Sequence, residues 1–173
     1  METTVEPRLL SVYVNDHVTG ATAGLGRVSR MAEAYADSTL LGPPLARFER
    51  EFTEERQWLV RTAVSLGITR NKPKAALASI AEKLGQLKLN GRAVEKSPLS
   101  PLLELEILRG AVIGKLSGWE TLEVHAETLG LSPERVEHLG LLQHQAIGQK
   151  DTITELLQSL RPQAFSGSAP GEG

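Results

Sequence analysis

The chain has 173 residues, of which 40% are hydrophobic, 23% are charged and only 4% are aromatic, and its formal net charge is −2. This length allows one domain with a sizeable core, which has to be built mainly from aliphatic side chains. The absence of cysteine excludes disulfides, thiolate metal sites and cysteine nucleophiles. No apolar run approaches the roughly 20 residues of a membrane helix, and residues 1–6 do not resemble a signal peptide. We therefore expect a cytoplasmic protein.

Apolar residues at helical spacing predict a first pair of long helices within residues 8–66. The first helix is expected over about residues 8–35. The segment 41–44 contains two prolines and predicts the turn between the helices, because proline is tolerated in the first turn of a helix. The second helix is expected to end near Leu66, where Gly67 provides a typical C-terminal cap.

A second pair of helices is predicted over residues 98–129 and 132–160. Each starts at a serine followed by a proline, which is a favourable combination of cap and first turn. Residues 67–97 separate the two pairs and are predicted to form a long crossover that contains a short extra helix. Residues 162–173 have too few apolar side chains to be buried and are expected to form a flexible tail. The predicted fold is an all-α four-helix bundle, a single domain over residues 1–161 with two helix hairpins joined by the crossover.

The middle of the chain is basic. Between Arg70 and Lys96 there are seven basic and two acidic residues, so this segment carries +5 and the remainder of the chain −7. The segment is either a solvated cover over the bundle or a docking surface for an acidic protein partner, through the summed field of its charges. Nucleic acid is a weaker candidate, because the net charge is negative and no aromatic residue is interleaved with the basic ones.

Glycine recurs inside two of the predicted helices, at Gly20 and Gly24 in the first and at Gly110, Gly114 and Gly118 in the third. Each glycine inside a helix costs about 1 kcal/mol relative to alanine, so a compensating contact is expected. Because glycine has no Cβ, these positions predict a close approach of another helix. That approach is either between helices of one bundle or between two copies of the chain in a homodimer.

Polar side chains interrupt the apolar stripe of every long predicted helix. Those that can meet inside the bundle are His17, Glu55, Glu106, Arg109, Glu120, Gln143 and His144. If the third helix runs antiparallel to the first, His17, Glu55 and Glu120 each lie about 15 Å from the same end, at ~1.5 Å per residue. Gln143 and His144 reach that level on the fourth helix. The opposite direction of the third helix would place Glu106 there instead, but the length of segment 67–97 favours the first arrangement.

A layer of carboxylates and imidazoles between paired helices resembles the metal sites of the ferritin-like superfamily, which hold metal inside a four-helix bundle. The segments 13–17 (YVNDH), 87–92 (LKLNGR) and 97–106 (SPLSPLLELE) are also similar to a family of uncharacterised bacterial proteins described as ferritin-like, and this resemblance implies no particular activity. The superfamily resemblance implies an altered iron or manganese site. Its four candidate ligands are His17, Glu55, Glu120 and His144. The chain departs from the family pattern because it has no Glu-x-x-His motif.

The same polar side chains have two other interpretations. His17 can pair with Glu55, and Glu106 with Arg109, as buried networks without metal. Alternatively, the polar layer is the floor of a small-molecule pocket. The chain has no phosphate-binding glycine loop and no Gly-x-Ser-x-Gly motif, so no enzyme activity is predicted. The sequence favours a non-catalytic helical scaffold or interaction protein, with a metal-binding ferritin-like protein as the alternative.

Overall fold

A computed structural model describes residues 5–68 and 99–165, and both ranges are helical without any strand. Their elements are α1 (Pro7–Ala34), α2 (Gly42–Ser65), α3 (Ser100–Val124), α4 (Pro133–Leu160) and a 3-10 turn at Arg161–Gln163. The predicted all-α fold with four long helices is confirmed for these ranges. The basic segment 70–96, most of the predicted crossover and residues 166–173 of the predicted tail lie outside the described residues.

Proline stands in the first turn of each of the four helices, where its missing N–H needs no partner. Before α1, the Glu6 carboxylate accepts hydrogen bonds from the backbone N–H groups of Arg8 (3.1 Å) and Leu9 (2.8 Å). Before α4, a hydrogen bond from the Ser132 side chain lowers the pKa of Glu134. The predicted starts of the first and fourth helices are therefore confirmed, together with local contacts that explain them.

The third helix is shorter than predicted. It ends at Val124 rather than near residue 129, and the chain then turns until α4 begins. In this turn the Leu131 N–H donates to the carbonyl of Ala126 (2.9 Å). Gly130 has a φ of +62°, a left-handed conformation that glycine adopts without a Cβ clash. Residues 125–129 contain neither glycine nor proline, so nothing in their composition marks the early end.

Contacts between α1 and α3 show that these two helices are antiparallel. Tyr35, at the C-terminal end of α1, donates a hydrogen bond to Glu104 near the start of α3 (2.8 Å). His17, in the first half of α1, lies against Gly118 near the end of α3. The direction that the sequence favours for the third helix is therefore confirmed.

Hydrogen bonds between α2 and α4 show that this pair is also antiparallel. Arg47 near the start of α2 donates to Thr152 in the second half of α4 (3.1 Å). Thr62 near the end of α2 accepts from Arg135 in the first turn of α4 (2.7 Å). With the hairpins α1–α2 and α3–α4, every pair of neighbouring helices runs in opposite directions.

The core lies between the four helices and is mainly aliphatic, as the composition predicts. Its largest fully buried side chains include Phe48, Met31, Leu45, Leu105, Leu108, Leu139 and Ile153. The outer side of α3 carries apolar side chains among its polar ones, since Leu103 and Ile113 are each 42% exposed. Ala164 is buried as well, so packed chain continues past the predicted domain end at residue 161. None of the described helices has the length and apolar character needed to cross a membrane.

Candidate functional site

A buried ion pair joins α2 to α3 in the middle of the bundle. Lys115 Nζ lies 2.5 Å from Oε2 of Glu55, and the two side chains are 14% and 3% exposed. The same ammonium donates to Oε1 of Gln149 on α4 (2.6 Å) and lies 3.8 Å from the centre of the Phe52 ring. An ammonium has three N–H donors, and these three partners account for them. Lys115 is therefore fully partnered in spite of its burial.

The Glu55 carboxylate is equally well partnered. Its Oε1 accepts hydrogen bonds from Nε2 of Gln145 (2.8 Å) and of Gln149 (3.0 Å), and Gln149 Nε2 also donates to Glu51 (2.7 Å). Burial lowers the pKa of Lys115, while Glu55 and then Glu51 act in the opposite direction. Because these groups come from three helices, the cluster fixes α2, α3 and α4 relative to one another.

A cavity of about 330 Å³ lies beside this cluster, between α1, α2 and α3. Its walls are mainly apolar and include Phe52, Leu59 and Trp119. Four glycines line it: Gly20 and Gly24 from α1, and Gly114 and Gly118 from α3. Lys115 and Glu55 form part of the same wall. The cavity thus combines apolar surface, bare helix backbone and one buried ion pair.

Most of the helix glycines border open space rather than another helix. A Cβ added at Gly20, Gly110 or Gly114 would meet no described atom of another element within 4 Å. One added at Gly24 would make an ordinary contact of 3.7 Å with the Phe52 ring. The predicted close approach of helices is therefore wrong at Gly20, Gly110 and Gly114, and the homodimer alternative stays a prediction.

His17 and Gly118 do make a close contact between α1 and α3. A Cβ at Gly118 would lie 2.7 Å from Cε1 and Nδ1 of the imidazole, so this arrangement requires glycine. The His17 ring is partly buried, and its centre lies 4.5 Å from that of Tyr13. Burial lowers the pKa of His17, and the neighbouring Asp16 acts in the opposite direction. His17 therefore lines the cavity as a ring that is mostly neutral at pH 7.

Arg56 on α2 brings a second cation to the cavity. Its Nε donates to Oγ1 of Thr22 on α1 (2.9 Å), which orients the guanidinium between these two helices. Within residues 5–68 and 99–165, Arg56 takes part in no ion pair. Asp16 also lines the cavity, from α1, and is exposed. The terminal nitrogens of Arg56 therefore keep their N–H donors for another partner.

The structure does not bring the four predicted metal ligands together. His17 and Glu55 line one cavity, but Glu55 pairs with Lys115 rather than with His17. Glu120 on α3 and His144 on α4 are exposed. No group of three or more histidine, aspartate or glutamate side chains in the described ranges is arranged to hold a metal ion. The predicted polar layer is thus limited to His17 and Glu55.

The other polar residues predicted on the apolar stripes have different partners. Arg109 Nε donates to Thr154 on α4 (3.1 Å), and Glu106 is exposed, so the predicted pair between Glu106 and Arg109 is wrong. Gln143 donates to Glu123 on α3 (2.9 Å) at the surface between the two helices. The contacts of Arg109 and Gln143 join α3 to α4, and neither residue lines the cavity.

Lys115 and Gln149, the two residues at the centre of the cluster, are absent from the predicted site. Their spacing carries a signal, however. Lys115 stands three residues after the buried Val112 and four before the buried Trp119. Gln149 likewise stands three residues after the buried Ala146. Because residues three and four apart share a helix face, both positions belong to buried stripes.

The comparisons leave the function to be argued from this geometry. No family model, curated protein or solved structure matches the chain.

Proposed function

We propose that this chain is a non-catalytic binding protein that holds a small, mostly apolar molecule in the cavity between α1, α2 and α3. The observation that carries the proposal is a cavity of about 330 Å³ with apolar walls beside a buried ion pair. Ligand pockets in proteins measure about 300 to 1,000 Å³ and combine apolar walls with a few placed polar groups. This volume equals that of about eleven water molecules at ~30 Å³ each, which suits a compact ligand.

The glycines that line the cavity are better explained by a bound ligand than by imperfect packing. A glycine inside a helix is about 1 kcal/mol less favourable than an alanine. At Gly20 and Gly114 a Cβ would touch no neighbouring described residue, so helix packing does not demand glycine there. Both positions line the cavity, and a side chain at either one would narrow it. A ligand that occupies the space gives these two glycines a role.

The Lys115–Glu55 pair supports binding rather than reaction. Both groups have protein partners at hydrogen-bond distance, so neither is left as an unpaired base or nucleophile. A metal ion at Glu55 would have to displace the ammonium that lies 2.5 Å away. That displacement would leave a buried cation without its counter-charge, which is costly. The metal-binding alternative is therefore the less favoured one.

Indole is a suitable probe, because it is compact and mostly apolar. We expect saturable binding of indole by the purified chain in isothermal titration calorimetry. The Gly114→Leu variant should bind at least about tenfold more weakly, a loss of ~1.4 kcal/mol, because its side chain occupies the cavity. No binding by the wild-type chain, or equal binding by Gly114→Leu, would overturn the proposal.

Gly148→Leu is the matched control for this experiment. Gly148 is also a helical glycine with open space around it, but it lies on α4 and does not line the cavity. We expect Gly148→Leu to bind indole as the wild-type chain does. Circular dichroism spectra and unfolding curves of both variants check that any loss of binding does not come from loss of fold.

A second candidate is the scaffold or interaction role, in a ferritin-like bundle, that the sequence favours. It is supported by the outer side of α3, where Leu103 and Ile113 are partly exposed beside Gly110. Exposed apolar side chains that lie together can mark an interaction surface, so a second copy of the chain packed on α3 would explain them. The acidic protein partner predicted for segment 70–96 stays a prediction, since that segment lies outside the described residues.

Sedimentation velocity over a range of protein concentrations tests the second candidate. We expect a dimer that dissociates on dilution, and we expect Ile113→Glu to shift the equilibrium towards the monomer. The matched control is Leu141→Glu, which places the same charge on an exposed leucine of α4. A chain that stays monomeric at all concentrations contradicts association through α3.

A further inference from the structure

The polar groups that line the cavity differ in whether their hydrogen-bonding capacity is already used. The Lys115 ammonium has three partners, and the Glu55 carboxylate accepts from Lys115 and from two glutamines. Arg56 is different, because among residues 5–68 and 99–165 only its Nε has a partner, the hydroxyl of Thr22 at 2.9 Å. A guanidinium has five N–H donors, so most of its capacity remains. Of the cations on the described cavity wall, Arg56 is the one with room for a further partner.

A second donor on the same wall lacks an acceptor. The Trp119 side chain lines the cavity and is 3% exposed. Its indole N–H is buried and has no hydrogen-bond acceptor among the residues that the structure describes. Buried donors are normally paired, so this one is an exception that calls for an explanation. Arg56 and Trp119, two groups of the described cavity wall that can still form hydrogen bonds, are both hydrogen-bond donors.

The other charges around the cavity do not cancel that of Arg56. Glu55 is balanced by Lys115 at 2.5 Å. Burial lowers the pKa of His17 below 6.5, so its ring is mostly neutral at pH 7. Asp16 is the remaining carboxylate of the lining, and it is exposed on α1, where water and salt screen its field. The Asp16 carboxylate repels an anion in the cavity, but it is more exposed to solvent than Arg56 is.

On the basis of the binding function proposed above, we infer that the ligand is a compact, ring-bearing carboxylic acid whose carboxylate is bound by Arg56. The planar fork of a guanidinium matches the two oxygens of a carboxylate and forms strong, oriented hydrogen bonds with them. The ring would lie against the glycine surfaces of α1 and α3 and beside the Phe52 and Trp119 rings, all of which line the cavity. Flat surfaces without side chains suit a flat ring.

Three probes with the same ring and different charge test this inference by calorimetry. They are indole-3-acetate, which is an anion at pH 7, indole-3-ethanol, which is neutral, and tryptamine, which is a cation. We expect the anion to bind the wild-type chain about tenfold more tightly than the neutral probe, as one charge-assisted pair allows, and the cation to bind weakest. In Asp16→Asn the preference for the anion should increase.

Arg56→Gln should remove the preference for the anion while the neutral probe binds as before. Arg50→Gln is the matched control, since Arg50 is an exposed arginine of α2 that does not line the cavity. An anion preference that survives Arg56→Gln, or tighter binding of the neutral or cationic probe by the wild-type chain, overturns the inference but leaves the binding function intact. Failure of all three probes and of indole to bind overturns both.

Discussion

Lys115 and Glu55 form the most deeply buried ion pair of the described ranges, with side chains that are 14% and 3% exposed. The pair connects the first helix hairpin to the second, because Glu55 lies on α2 and Lys115 on α3. Replacement of such a pair by apolar residues is often neutral or stabilising, so buried charge is weak evidence for stability by itself. Its position on the wall of a cavity is the more informative property.

Removal of one partner from this pair should be strongly destabilising. We predict that Lys115→Met lowers the free energy of unfolding by roughly 3–5 kcal/mol, because Glu55 then stays buried without a counter-charge. Urea denaturation measures the change. Lys150→Met is the control, since its ion pair with Asp151 is more exposed and contributes at most about 1 kcal/mol. Equal losses in the two variants would show that burial of the Lys115–Glu55 pair has no energetic consequence.

The contact between His17 and Gly118 predicts an unusual response to a methyl group. Gly118→Ala should lower the free energy of unfolding by roughly 1–3 kcal/mol, because its Cβ would lie 2.7 Å from the imidazole. Gly148→Ala, which adds a Cβ in open space, should instead be stabilising by up to about 1 kcal/mol. The double variant His17→Ala/Gly118→Ala should show a favourable coupling energy in a double-mutant cycle. Strictly additive effects would mean that the two residues do not touch.

Stability should depend on pH through His17. Burial lowers the pKa of this residue below 6.5, so the folded chain binds the imidazole proton more weakly than the unfolded chain does. As pH falls through 6.5, the unfolded state gains a proton first, and the free energy of unfolding decreases until the folded-state pKa is reached. We predict a loss of stability as pH falls from about 7 through 6.5, and this loss should be smaller in His17→Gln. Denaturant curves at several pH values measure it, and an unchanged slope in His17→Gln would assign the effect to other groups.

The hydrogen bond between Tyr35 and Glu104 should contribute to the α1–α3 contact. Burial and this 2.8 Å bond raise the pKa of Tyr35, so its hydroxyl stays protonated and continues to donate at alkaline pH. We predict that Tyr35→Phe lowers the free energy of unfolding by about 1–2 kcal/mol, as for a hydrogen bond to a charged group. Tyr13→Phe is the control, because the described contact of Tyr13 is made by its ring with His17. A smaller loss in Tyr35→Phe than in Tyr13→Phe would contradict this role of the hydroxyl.

The helices were predictable because proline and apolar spacing mark them locally. The first and fourth helices begin and end within about one residue of their predicted bounds, and the second helix ends within one residue of Leu66, a normal uncertainty for helix ends. The predicted turn at residues 41–44 is wrong in position, because α2 begins at Gly42 and the turn lies over residues 35–41. The end of the third helix was not predictable, since residues 125–129 contain neither glycine nor proline. The crossover over residues 67–97 lies almost entirely outside the described residues and stays a prediction.

The site was only partly predictable, because α3 lacks a clear polar side. Ile113 is apolar but 42% exposed, and Glu120, predicted to lie inside the bundle, is exposed. Glu55 is buried as predicted, since α2 has a distinct apolar stripe around it. Lys115 was not predicted to be buried, because a lysine is normally solvated. Its spacing from Val112 and Trp119 nevertheless places it on the buried face of α3. The pattern of apolar residues in the sequence indicates which face of a helix is buried, but it does not indicate which polar side chains meet there.

The glycine-lined cavity also has a consequence for how long the folded chain survives. A ligand that binds the folded chain but not the unfolded chain stabilises the fold by mass action. At a ligand concentration of about a hundred times the dissociation constant, the free energy of unfolding rises by about 2.7 kcal/mol. Because the cavity separates parts of three helices, such a ligand would complete contacts that these helices do not make with one another. The melting temperature would then rise with ligand concentration, and resistance to proteolysis would follow the supply of that compound.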